Sequence, residues 1–408
     1  MSEGEPAAAL RAGAARDGAG SRGALLLRAY YVTSYTVGGV YLPFFPRWLE
    51  GRGMHGLELG VVCAATPAMG LVAPALFGVV ADALSLRVGL LQLACAGTLV
   101  AFGSLASLVA LSAPLGFWSL LAAALFISFF RSPMIMIADV VALERAPRFG
   151  TTYGRIRLWG SLGFLVTAQL ASLWIDPRDP LEVPAVCTLG MATGFVASLT
   201  LPRKAEMPKK TDSRGMLRLL AEEDFRLLLV AVFLSQCGHA AYDTLFSIRL
   251  FDLGIPRPLI GLAWAIGTGA EVAMMAWSAP AFRSYPAPRL LAFAFAAASL
   301  RWVLLGVVTT SATILLLQPL HALSFGLVWI AAVSFVSHRF SNRSLATAQG
   351  LLVTSVGAGS IVGMLVWPPV YVRLGGAYVF GGAACFAAVA AAFAVALDRT
   401  ARALSAAR

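Results

Sequence analysis

The sequence predicts an all-α integral membrane protein with twelve transmembrane helices in two pseudo-symmetric six-helix halves, and three observations predict it. Of its 408 residues, 59% are hydrophobic and only 12% charged, with a mean hydropathy of +0.80, against about 25% charged residues in soluble domains. Apolar stretches of about 20 residues, long enough to cross a hydrocarbon core, recur through nearly the whole chain. One long polar connection, 202–224, divides them six and six.

Residues 1–24 are rich in Ala, Gly and Arg and lack an apolar run, so a disordered cytoplasmic tail is expected there. The apolar segment behind them reaches Leu49 without a small-residue cleavage site and reads as an uncleaved first span. The N-terminal half, 25–201, has spans near 26–49, 58–81, 88–111, 116–141, 152–175 and 184–201. The C-terminal half, 225–398, has them near 225–250, 259–281, 290–309, 312–337, 345–371 and 376–397, and a cytoplasmic tail, 399–408, follows. The connection 202–224 holds Arg203, Lys204, Lys209, Lys210, Arg214 and Arg218, and a short amphipathic stretch over 216–220 is expected to ride the membrane surface. Prolines such as Pro43, Pro67, Pro133, Pro319 and Pro368 interrupt the spans. In lipid such breaks survive only where neighbours or cavity water satisfy the freed backbone groups. Two six-helix halves joined by a basic loop are the plan of a two-repeat transporter, whose substrate site lies near the midplane between them.

The net charge of +11 would suggest a nucleic-acid partner in a soluble protein. Here the basic residues sit in short connections instead. With the N-terminus inside, 20 of the 31 fall in cytoplasmic segments and 6 in external ones, which is the positive-inside bias, and both termini are then cytoplasmic. Nucleic-acid binding is excluded on that distribution. The five cysteines all lie in apolar stretches with no CxxC pair, so neither a disulfide framework nor a metal site is expected. None of the three lysines follows a GxxxxGK[ST] pattern, and HExxH and GxSxG are missing. ATP is therefore not expected as a partner, nor any enzymatic activity. The expected partners are the lipid bilayer and a small-molecule substrate, for a monomer with no cofactor beyond a proton gradient.

Charged groups inside the spans are the functional candidates, because each is costly in lipid. Arg155 and Arg157 stand two residues apart on a helix, about 200° around from one another, so only one can face inward. Arg157 shares its face with Gly160, Ser161 and Phe164, which suits a cavity wall, while Arg155 suits snorkelling to headgroups. Arg131 lies deep in the fourth span, two residues before Pro133, and is either functional or a snorkelling side chain. In the second half, Glu271, Arg301 and His321 fall at one depth when counted from the outer helix ends, and the i, i+4 pair His239 and Asp243 reaches the same layer. These groups are expected to find one another, as an ion or substrate path or as a structural network.

The segment GVVADALSLR over 78–87 resembles the cytoplasmic signature loop of the major facilitator superfamily. The resemblance implies a gate of Gly78, Asp82 and Arg87, whose carboxylate faces helix dipoles of the other half near 346–350; a solvated turn is the alternative. The equivalent loop of the second half, 278–283, has no acid. The segments GGVYLPFFPRWL over 38–49 and YGRIRLWGSLGF over 153–164 are similar to the lactose permease group and its phenylpropionate permease-like neighbour, and the likeness extends over nearly the whole chain from Leu25.

That resemblance implies the major facilitator fold and substrate binding by Arg157 together with Asp139 on the fourth span, with Phe164 where the permease stacks its sugar. Pairing of Asp139 with Arg145 or Arg148 is the alternative. It further implies that Glu271, Arg301 and His321 form the proton and substrate network. Two departures stand out: Ser324 replaces a second acid three residues after the histidine, and Gln318 replaces a lysine, leaving Asp243 without that partner. The resulting expectation is alternating access at a site bounded by Asp139, Arg157, Ser161 and Phe164 on one side and His239, Asp243, Glu271 and His321 on the other. The substrate would be an aromatic or other carboxylate, or a sugar or nucleoside, moved across the inner membrane by proton symport. An exporter or facilitator of the same fold, or a non-transporting receptor, are the rival readings.

Overall fold

The computed structural model describes residues 5–84, 86–201, 216–277, 279–340 and 342–406. Every regular element among them is helical, as lipid demands of a chain that must satisfy its own backbone. The N-terminal half comprises α1 (Glu5–Glu50), α2 (Gly56–Leu84), α3 (Arg87–Ala110), α4 (Phe117–Arg145), α5 (Tyr153–Trp174) and α6 (Glu182–Leu199). After the short α7 (Met216–Ala221), the C-terminal half comprises α8 (Glu223–Asp252), α9 (Arg257–Trp277), α10 (Ala279–Ser284), α11 (Ala287–Val307), α12 (Ser311–Leu317), α13 (Val328–Arg339), α14 (Asn342–Leu374) and α15 (Gly376–Ala406).

Eleven spans among the described residues are long and apolar enough to cross a membrane, with α12 and α13 belonging to one of them. The expected twelfth, α1, does not qualify by composition. Its membrane stretch carries Arg28, Thr33, Ser34 and Thr36 among its tyrosines. It packs all the same against α5 and α6 and buries Tyr30, Phe44 and Trp48 almost completely.

Two ends differ from expectation. The backbone of α1 is helical from Glu5, where a disordered tail was expected over 1–24; alanine-rich sequence has high intrinsic helix propensity. α15 likewise runs to Ala406, past the expected end of the half at 398. α7 covers the expected amphipathic stretch, while Arg203, Lys204, Lys209, Lys210 and Arg214 lie outside the described residues.

Most of the prolines do not break their helices. α1 runs through Pro43 and Pro46, α2 through Pro67 and Pro74, α4 through Pro133 and α14 through Pro368 and Pro369. Pro319 is different. There the span changes from α to 3-10 over Gln318–Leu320 and to π over Ala322–Leu327, before α13 resumes. The Gln318 side chain donates Nε2 to the Ile314 carbonyl at 2.8 Å, satisfying backbone that the changed helix frees.

The halves meet mainly through α2 against α14 and α5 against α9. Exchanging the halves turns one of these contacts into the other, as a two-repeat plan requires. Both are tight on the side away from the chain termini: Gly60 of α2 lies against the Met364 carbonyl, and Gly261 of α9 against the Ala168 carbonyl and Ser172, with no room for a Cβ at either. Polar contacts join the same edge. Arg47 lies 3.5 Å from Asp252, which Tyr371 of its own half holds with a 2.6 Å hydrogen bond, and Arg257 lies 3.7 Å from Asp176. The protein is thus held closed on the face away from its termini.

Candidate substrate and ion-coupling site

Between α1, α4 and α5 lies a cavity of about 190 Å³ walled by Tyr30, Tyr31, Tyr35, Met134, Phe164 and Arg131. Phe164 packs across Gly38 of α1. At its edge Asp139 accepts a hydrogen bond from Tyr31 Oη at 2.5 Å and pairs with Arg157 Nε at 3.8 Å. The Arg157 guanidinium lies over the Tyr35 ring, 4.4 Å from its centroid, and farther over Tyr31, an arrangement that stabilises the cation by ring quadrupoles as well as by the acid.

The two candidate arginines separate as the helix geometry requires. Arg157 keeps 31% exposure and turns toward Asp139 and Tyr35, while Arg155 is exposed and its backbone N–H is capped by Thr152. Asp139 pairs with Arg157, and Arg148 is exposed. Ser161 is half-buried and stands outside the cavity wall. Arg157→Lys is therefore expected to lower transport about tenfold, because an ammonium reproduces neither the fork nor the stacking, while Arg155→Lys stays within about twofold. Uptake assays on the two variants decide this, and equal losses would overturn the face assignment.

In the C-terminal half the polar groups at one depth are brought into one network. Arg301 on α11 is fully buried. Its Nη1 donates to Ser324 Oγ at 2.9 Å and lies 3.2 Å from His321 Nδ1, and its Nη2 donates to Gln318 Oε1 at 3.2 Å. Tyr242 and Trp302 present their ring faces at 4.4 and 4.6 Å. His321 Nε2 then stands 3.6 Å from Glu271 Oε2 on α9, so the chain Arg301–His321–Glu271 crosses three helices. His239 lies 3.5 Å from Asp243 on α8, and its ring is 5.5 Å from that of His321.

The helix-type change around Pro319 sits in this layer, and its π turn carries Ser324 while His321 precedes it. Such π turns gather at functional sites. Gly326 lets the Glu271 stem pass close to this segment. The two departures from the permease pattern also acquire a role: Ser324 and Gln318 are both neutral acceptors for Arg301. Among the described residues, Arg301 forms no ion pair with a carboxylate.

At the gate, Arg87 Nη1 donates to Glu144 Oε1 at 2.5 Å within the N-terminal half. Gly78 lies on α2 near Met136. The Asp82 side chain, and so the expected contact of this acid with 346–350, lies outside the described residues.

Sequence reasoning missed Tyr31 and Tyr35, which hold Asp139 and Arg157 in place. Their spacing, four residues apart on the first span, placed them on one face but did not distinguish a cavity wall from a packing face.

The chain is 26% identical, over 347 residues covering 83% of it and 88% of the relative, to the probable 3-phenylpropionic acid transporter of Escherichia coli (strain K12). It is 27% identical, over 345 residues covering 84% of it and 85% of the relative, to the maltose permease of Geobacillus stearothermophilus. In fold it is similar to the crystal structure of the nucleoside transporter NupG, with a TM-score of 0.77 at 18% identity over 92% of this chain and 98% of that one. The sequence pattern of the MFS_1 like family matches residues 25–380. The chain is therefore an integral membrane transporter and not an enzyme, and it belongs to the MFS_1 like family of the major facilitator superfamily.

Proposed function

We propose that the protein is a proton-coupled symporter of a small carboxylate with an aromatic or aliphatic body. The observation that carries this reading is the cavity itself: aromatic rings line it, Arg131 faces it, and its nearest acid, Asp139, is already engaged by Tyr31 and Arg157. An apolar chamber with uncompensated positive charge suits an anion with an apolar body. The 3-phenylpropionic acid named for the Escherichia coli relative has that chemistry. The Asp139–Arg157 pair, and a maltose permease among the relatives, favour a sugar as the second reading.

Proton coupling is assigned to the layer in which Glu271 faces His321 and Asp243 faces His239. Two carboxylate–imidazole pairs within one layer supply groups able to accept and release a proton as the halves rock. The chain would work as a monomer in the inner membrane, with both termini cytoplasmic, no ATP, and the proton gradient as its driving force.

Purified protein in liposomes tests this. Uptake of 3-phenylpropionate is expected to exceed that of maltose or uridine and to be driven by an inward proton gradient. Glu271→Gln is expected to remove gradient-driven accumulation while leaving exchange of external for internal substrate. Uptake of maltose but not of the carboxylate would overturn the substrate class, and Glu271→Gln accumulation like that of the unmodified protein would overturn the coupling assignment.

A further inference from the structure

Arg131 is the charged residue that the permease resemblance leaves without a role. It sits at the middle of α4, 14 residues from either end of Phe117–Arg145, about 21 Å along the axis from each. Arg157, by contrast, is four residues from the start of α5, about 6 Å along it. Of the two, Arg131 lies at the depth where a carrier that opens to either side must hold its cargo.

Arg131 faces the cavity. It is held there from behind by the Tyr41 ring, 5.0 Å from the guanidinium carbon. Tyr41 is fixed in turn by Thr66 at 3.3 Å, and Thr66 by Ser128 at 3.1 Å. Among the described residues Arg131 has neither a carboxylate partner nor a hydrogen bond of its own. Two further cavity-lining groups, Ser34 Oγ and Tyr35 Oη, are buried without a hydrogen-bond partner. An aimed cation and two vacant hydroxyls in an aromatic chamber are costly unless a ligand completes them. Arg157 does not have the same vacancy, because Asp139 and the Tyr35 ring already hold it.

We propose that Arg131, and not Arg157, receives the anionic group of the substrate, with Ser34 and Tyr35 as supporting hydroxyls and the substrate's apolar body against Phe164 and Tyr31. This rests on the carboxylate reading above and assigns its charge-recognising residue. Arg157 is left to hold Asp139.

The test compares binding of 3-phenylpropionate with that of its neutral amide to the purified full-length protein in detergent, by calorimetry. The unmodified protein is expected to prefer the acid by at least about tenfold, the worth of a charge-assisted fork. In Arg131→Gln the acid and the amide should bind within about twofold of one another, the amide affinity staying near its original value. Arg131→Lys, which keeps the charge and is the variant to use if Arg131→Gln does not fold, should weaken acid binding about tenfold and amide binding little. An acid preference that survives both Arg131 substitutions, or that collapses in Arg157→Gln instead, overturns the proposal while leaving the carboxylate reading intact. An unmodified protein that binds maltose and neither phenyl compound overturns both.

Discussion

Replacing Arg301 by Met is expected to lower the melting temperature of the detergent-solubilised protein sharply and to abolish transport. Arg301 is fully buried and serves three acceptors, Ser324, Gln318 and His321, while two aromatic faces cover its charge. Removing it leaves those acceptors facing apolar surroundings, at about 1–3 kcal/mol each where no water enters. Removing one member of a buried charged network costs about 3–5 kcal/mol in soluble proteins. Arg301→Lys keeps the charge but cannot reach Ser324 and Gln318 together, so it should recover part of the stability and little of the transport. A melting temperature for Arg301→Met within a degree or two of the original would show that the network contributes nothing to holding the half together.

The second large effect is expected at the paired glycines. Gly60 on α2 and Gly261 on α9 occupy equivalent places in the two halves, and each lies against a carbonyl of the opposite half. A valine at either has no space unless the helices part, and overpacking of this kind costs about 1–3 kcal/mol. Gly60→Val combined with Gly261→Val should therefore hold the face away from the termini open. Single cysteines introduced near Arg47 and Tyr371 should then react with a membrane-impermeant maleimide many times faster than in the unmodified background, while net transport falls below a tenth. Unchanged labelling would mean that the two helix pairs do not seal that face.

Much of this was legible in the sequence because the bilayer restricts what a chain can do. A medium that cannot satisfy backbone groups forces helices, and helices of fixed rise turn sequence position into depth. Glu271, Arg301 and His321 could thus be placed at one level, and the structure joins them through His321. The same regularity separated Arg157 from Arg155, since a 3.6-residue period leaves one of the two facing outward. The first span was harder to judge. Its hydropathy is lowered by polar and tyrosine side chains, and a tyrosine that positions a charge looks the same in sequence as one that packs.

The neutral replacements Ser324 and Gln318 were legible only as losses, because the depth argument counts charges. Their value as acceptors depends on where Arg301 points. Arg131 shows the converse: its depth was legible, but that no acid among the described residues meets it depends on every neighbouring helix. For the gate, Arg87 is engaged by Glu144, a partner that neither the loop pattern nor helix spacing within α2 indicated.

The irregular span between Ser311 and Arg339 has a consequence for how the C-terminal half is packed. The three 3-10 residues at Gln318–Leu320 are wound more tightly than an α-helix, and the six π residues at Ala322–Leu327 more loosely. Their angular errors have opposite sign and partly cancel. α12 and α13 are therefore less out of phase than the π turn alone would leave them, and each presents a packing surface to α11. The distortion is confined to the slab that contains His321 and Ser324. The irregular winding thus stays local to the polar layer, and the regular helices above and below it carry the packing of the half.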